Sequence, residues 1–95
     1  MYTVVLSRDF KRSFKKLQRS GTFSEAASKD YKYIIDLLVT GQSLPLIYRD
    51  HALVGEYLGY RECHIKGDLL LVYQILDDQL VLLLIDIGSH SYLFG

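Results

Sequence analysis

The chain has 95 residues, 49% of them hydrophobic, with eight Tyr, four Phe, one Cys and a formal net charge of zero. That length supports one domain, residues 1–95, around one core, and the apolar content excludes a largely disordered chain. One cysteine excludes an internal disulfide framework. The first residues lack the apolar run of a signal peptide. Leu80 to Ile85, the longest later apolar stretch, is far below the roughly 20 residues that span a bilayer. The expectation is a cytoplasmic protein.

Residues 2–6 are β-prone and predict a short strand. Ser7 then stands as an N-cap, and Leu6, Phe10, Phe14 and Leu17 recur at spacings of four, four and three. This is one apolar stripe of a helix ending near Gly21. Arg8, Lys11, Arg12, Lys15, Lys16 and Arg19 fall largely off the stripe, opposed in that segment only by Asp9. Such a face suits a polyanionic partner or is simply solvated. Thr22 to Glu25 fits a capping box with Thr22 as cap. Phe23, Ala27, Tyr31, Ile34 and Leu38 continue a second stripe that stops at Gly41. The two helices are expected to form a hairpin.

Beyond Pro45 the stretch Leu46–Leu58 reads as a connecting loop with a brief strand around Ala52 to Gly55. Tyr60–Ile65, Leu69–Leu76 and Gln79–Ile87 read as strands, with tight turns at Lys66-Gly67 and Asp77-Asp78 that make neighbours antiparallel. The last two strands are apolar on nearly every residue, which calls for cover on both faces. The expected architecture is α+β, in the order β-α-α-β-β-β, with an antiparallel sheet packed against an N-terminal helix hairpin.

All three histidines, His51, His64 and His90, lie in the second half. Imidazole gives and takes protons near neutral pH. Cleaving RNA without a metal needs a base for the ribose 2′-OH, an acid for the leaving 5′-oxygen and cations for the phosphorus oxygens. Alternation puts His64 on one strand face with Tyr60 and Glu62, and Arg61, Cys63 and Ile65 on the other. Asp68, just past the turn, is placed to orient His64. Taken singly, each histidine reads more readily as a plain surface or structural residue. A metal site of His51, His64, His90 and Asp68 lacks any short-range ligand pair. Cys63 reads as a small core residue. Tyr92 and Phe94 read as a packed tail or a base-stacking surface.

Four stretches carry a resemblance: Asp50-His51 through Gly55, Gly59-Tyr60-Arg61 through His64, Gly67-Asp68-Leu69, and Gly88-Ser89-His90 through Phe94. In order and spacing they resemble the D-H-x-L-x-G, G-Y-R-x-x-H, P-D-W or P-D-L, and G-[ST]-H-x-x-L-F segments of the YafQ-type toxins of the RelE superfamily. The match covers roughly the last half of the chain. The resemblance implies the toxin of a type II toxin-antitoxin system. Its activity would be that of a ribosome-dependent endoribonuclease (mRNA interferase), cutting mRNA by 2′-OH attack with no metal or cofactor. It also implies a cognate antitoxin of the DinJ/RelB-like ribbon-helix-helix kind, with a toxin monomeric alone and heteromeric when bound. Carried over by position, the catalytic residues are His51, His64, Asp68 and His90. His64 with Asp68 would be the base unit and His90 the acid or phosphate stabiliser; His51 would be a second proton-transfer or phosphate-binding group. Phe94 would stack a base, and Arg61 would be a weaker phosphate contact.

The chain departs from the pattern in three places. Gly67 replaces a proline, which loosens the turn aiming Asp68. Leu69 replaces a tryptophan, and Asp86 stands where a basic residue is frequent, turning a carboxylate toward RNA. The other reading is a RelE-fold module that mainly binds its antitoxin.

Overall fold

The computed structural model describes all residues, 1–95. No helix in it is long and apolar enough to cross a membrane. Strand β1 (Thr3–Leu6) leads into helix α1 (Arg8–Ser20). Ser7 is the predicted cap, its Oγ accepting the Phe10 N–H at 2.9 Å while its hydroxyl donates to the Ile85 carbonyl at 2.6 Å. One residue thus starts the helix and ties it to the sheet. Gly21 closes α1 in the left-handed region at φ 74, where glycine carries no Cβ penalty.

Helix α2 (Glu25–Val39) begins two residues later than the capping-box pattern expects. Ser24, not Thr22, accepts the Ala27 N–H, at 3.1 Å. Thr22 instead hydrogen-bonds Ser20 at 2.7 Å. Phe23 packs on Phe14 and Tyr31, with ring centroids 5.1 and 5.9 Å away, which fixes it outside the first turn of α2. The helix hairpin forms as expected, joined by an aromatic cluster rather than by Thr22.

The remaining strands are β2 (His51–Ala52), β3 (Arg61–Lys66), β4 (Leu69–Leu76) and β5 (Val81–Gly88). They lie in the order β1-β5-β4-β3-β2. The antiparallel expectation holds for β2 to β5, while β1 joins the edge parallel to β5. The brief strand begins at His51 instead of Ala52, and 3-10 turns at Leu46–Tyr48 and Gly55–Tyr57 flank it. A third 3-10 turn, Asp77–Gln79, with Leu80 at φ 52, replaces the tight hairpin expected at Asp77-Asp78. Tyr2 donates its hydroxyl to Asp77, and the Leu80 N–H reaches the Asp77 carbonyl at 3.2 Å, so the turn is held wider.

Phe10, Ile34 and Leu38 from the helices meet Cys63, Ile65, Leu71, Tyr73, Leu82, Leu84 and Ile87 from the strands in one buried cluster. Leu70 and Val72, of opposite parity on β4, are only 1% and 3% exposed. The second face is therefore covered as well, as the continuous apolar strands require. The last residues, expected as a tail, form a short helix α3 (His90–Phe94) packed near β5.

If Ser24 is the cap of α2, Ser24→Ala lowers unfolding stability by about 1 kcal/mol, and Thr22→Ala by less than about 0.5 kcal/mol. Urea unfolding of the two variants checks the ranking, and the reverse order would return the cap to Thr22.

Candidate active site

The register of β2 on β3 pairs His51 with Glu62, and paired residues share a sheet face. Two residues on, His64 returns to that face. The outer surface therefore gathers His51, Glu62 and His64. The imidazole Nε2 atoms of His51 and His64 lie 3.5 and 3.7 Å from the same carboxylate oxygen, Glu62 Oε1. The Glu62 side chain is 7% exposed, against 28% for His64 and 49% for His51. A carboxylate that dry needs a charge or a donor, and either ring supplies both when protonated.

A second contact fixes His51. Its Nδ1 lies 2.7 Å from the Arg49 carbonyl, and a carbonyl only accepts, so Nδ1 carries the proton and Nε2 is left for proton exchange. Arg49 reaches that position by adopting φ 49, the left-handed region that non-glycine residues avoid. Arg49 and Lys66 line the same cavity of about 500 Å³ as His64. Neither cation was singled out from sequence.

The third histidine belongs to α3. Ser89 caps this helix, accepting the Tyr92 N–H at 3.1 Å. His90 and Phe94, one turn apart, stand with ring centroids 5.3 Å from each other, and Tyr57 meets Phe94 edge-on at 5.0 Å. The strand register runs from His64 through Leu70 to Gly88, two residues before His90. Two strand spacings make that line about 10 Å long.

Asp68 does not orient His64. Gly67, at φ 56, and Asp68 form the turn between β3 and β4. From there Asp68 Oδ1 accepts the His90 backbone N–H at 3.3 Å. Glu62 holds the place beside His64 instead. Alternation had put Glu62 on the face of His64; only its pairing with His51 was hidden, because that depends on a two-residue strand.

Arg61 points to the other face, as its parity requires, and is engaged there. Its Nη2 donates to Asp50 Oδ2 at 2.8 Å, and the Tyr73 hydroxyl donates to Asp50 Oδ1. Asp50 raises the Arg61 guanidinium's proton affinity, so this group is committed to a structural pair. Burial, then Asp50, pushes the Tyr73 hydroxyl up, and burial pushes the Cys63 thiol up, in keeping with an inert core residue. The Asp86 carboxylate does not face outward: it accepts from the Ser13 hydroxyl at 2.6 Å and from the Ile87 N–H at 2.9 Å. A bulge at Ile85, where Val72 pairs with Asp86 but Tyr73 with Leu84, breaks the alternation there. No three His, Cys, Asp or Glu side chains are arranged to hold a metal ion.

Residues 2–95 match the family model described as bacterial toxin of type II toxin-antitoxin system, YafQ. The chain belongs to this family. The mRNA interferase toxin YafQ of Escherichia coli K12 is 38% identical over 65 residues, which are 67% of this chain and 68% of that protein. A metal-bound toxin from Helicobacter pylori superposes with a TM-score of 0.87 at 41% identity, over 99% of this chain and 100% of that one. YafQ in the E. coli DinJ-YafQ complex superposes with a TM-score of 0.83 at 29% identity, over 100% of both chains.

One alkaline transition follows from the packing behind this site. Burial, followed by a 2.9 Å hydrogen bond to Asp30, pushes the Tyr48 hydroxyl up to about 12 from 10.0. The folded state keeps the neutral phenol, so this stability is complete below pH 10.0 and is lost as pH rises through about 12. Thermal melts from pH 9 to 12 should show a falling Tm, with a shallower fall in Tyr48→Phe. An identical slope in both proteins would rule Tyr48 out as a contributor.

Proposed function

We propose that this YafQ-family toxin is an endoribonuclease that cuts mRNA by proton transfer between imidazoles. The observation that carries the proposal is the buried Glu62 carboxylate shared by the Nε2 atoms of His51 and His64. His64 is the base, since it is the less exposed of the pair and opens on the cavity with Arg49 and Lys66. It takes the proton of the ribose 2′-OH, and Glu62 stabilises the imidazolium that forms. The O2′–P bond forms as the P–O5′ bond breaks. His90 protonates the departing O5′, leaving a 2′,3′-cyclic phosphate.

His51 stands across Glu62 as the second proton-transfer or phosphate-binding group. Arg49 and Lys66 carry the charge that grows on the non-bridging oxygens. Phe94, backed by Tyr57, stacks a base. Asp68 acts on His90 by holding its backbone N–H, and so is a positioning residue. Arg61 contributes through Asp50 and the fold.

The relatives' names support the wider setting. YafQ of E. coli is called an mRNA interferase toxin and is seen in a complex with DinJ. The partner proposed here is an antitoxin of the DinJ/RelB-like kind; the ribosome and the cytoplasm as the setting rest on the resemblance of the motifs alone. A catalytically weak antitoxin-binding module is the second reading. It draws on Asp68 standing apart from His64 and on Leu69 at the tryptophan position.

The test is RNA cleavage in a translation extract, with the ends mapped. His90→Ala and Glu62→Gln should each slow cutting by about 10²–10⁴-fold, the usual weight of a general acid or base, while Tm stays near that of the parent. Cutting by the parent that neither change slows would remove these residues from the chemistry. No cutting by the parent, with antitoxin binding intact, would leave the second reading.

A further inference from the structure

A second groove, of about 440 Å³, opens between α1 and α3, on the side of the molecule reached from Asp68 and Ser89. Its residues come from three separated segments, 13–22, 66–69 and 87–92. Its floor is apolar, made by Leu17, Leu69 and Ile87. Its cations are Lys16 and Lys66, against a single carboxylate, Asp68, which already accepts the His90 N–H. Ser20, Thr22 and Ser89 add hydroxyls to the walls.

Tyr92 gives this groove its shape. Its ring lies on Gly88 so closely that a Cβ there would come within 2.5 Å of Cδ2. Ser13 donates its one hydroxyl proton to Asp86, so the Tyr92 hydroxyl, 3.0 Å from Ser13 Oγ, is the donor to Ser13. The chain Tyr92 to Ser13 to Asp86 thus ends on a carboxylate and fixes the ring against α1. Over that ring stands Lys16 Nζ, 4.9 Å from the centroid, a cation–π contact that holds the ammonium at the groove. Lys16 has no carboxylate within 4.0 Å, and the nearest to Lys66 is Asp30 at 3.9 Å. Lys16 is therefore the charge left open to a ligand, while Lys66 is shared with Asp30.

We propose that this groove is a nucleotide subsite for the RNA strand, one step along from the phosphate that is cut. An apolar floor takes the base, hydroxyls meet the ribose, and Lys16 takes the phosphate, with Lys66 between it and the phosphate that is cut. The volume lies within the range of about 300–1,000 Å³ common to small-molecule sites. The groove borders the proposed acid, because Asp68, which accepts the His90 N–H, and Ser89, which precedes His90, both line it. Tyr92 lies two residues from His90, on the other side of a short helix, so one clamp shapes the groove and aims the acid. The inference rests on the reading of the site as an RNA-cleaving one, and it names where the neighbouring nucleotide sits.

The probe is a 2′-O-methyl RNA trinucleotide, which cannot be cut. Its affinity for the full chain is measured against salt, and its footprint is read from amide chemical shifts. Lys16→Ala and the mouth-filling Thr22→Trp should each weaken binding about fivefold or more with Tm retained. Lys16→Ala should also reduce the salt slope by about 0.7, one single-strand phosphate contact. Shifts should appear at Ser13, Lys16, Ser89 and Tyr92. Unchanged affinity and slope in both variants, or shifts confined to His51 and His64, would overturn the subsite. The parallel cleavage assay keeps the two claims apart. A parent that cuts while Lys16→Ala binds and cuts equally removes the subsite. A parent that never cuts, yet binds in a Lys16-dependent way, keeps the subsite and removes the nuclease.

Discussion

The buried carboxylate of Glu62 is the constraint around which the outer face of this sheet is organised. Held in water it would be unremarkable chemistry; at 7% exposure its charge must be met locally. The two imidazoles that meet it come from different strands, so β2 has to pair with β3 in the one register that puts His51 opposite Glu62. A slip of one residue would send His51 to the other face. The short β2 is secured from behind. Asp50, its neighbour, is gripped by Arg61 and Tyr73, and Arg49 accepts a left-handed backbone to present its carbonyl to His51. Strain at Arg49 and the charge network at Asp50 thus serve one end, the placement of an imidazole.

The other half of the site is built on different terms. His90 rides on five residues of helix, too few to be stable alone. Ser89 caps it, Asp68 takes its first N–H, and Tyr92 pins its far side to α1 through Ser13 and Asp86. Asp86 is consequently a structural acceptor facing inward. The cations lining the neighbouring groove are Lys16, on α1, and Lys66, at the end of β3. Of the basic face of α1, Lys16 is the residue held in place, over the Tyr92 ring.

Much of this was legible in the residues. The stripe of Phe10, Phe14 and Leu17 and the caps Ser7 and Gly21 located α1, and continuous apolar runs located β4 and β5. The C-terminal motifs pointed to the family and to His51, His64 and His90. What stayed hidden depends on pairing across distance. Nothing local tells that Glu62, not Asp68, meets His64, since the choice is made by a two-residue strand and a glycine turn. Ser24 displaced Thr22 as a cap because the Phe23 ring packs between Phe14 and Tyr31. The bulge at Ile85 turned Asp86 inward, and helix α3 owes its existence to contacts with α1 and the β3–β4 turn.

The arrangement of protons on the two imidazoles tests the central claim most directly. Long-range nitrogen–proton correlation spectra near neutral pH report which ring nitrogens of His51 and His64 are protonated. The account predicts a proton on His51 Nδ1, facing the Arg49 carbonyl, and Nε2 signals of both rings that move together when Glu62 becomes Gln. A His51 ring bare at Nδ1, with both histidines indifferent to Glu62→Gln, would contradict it.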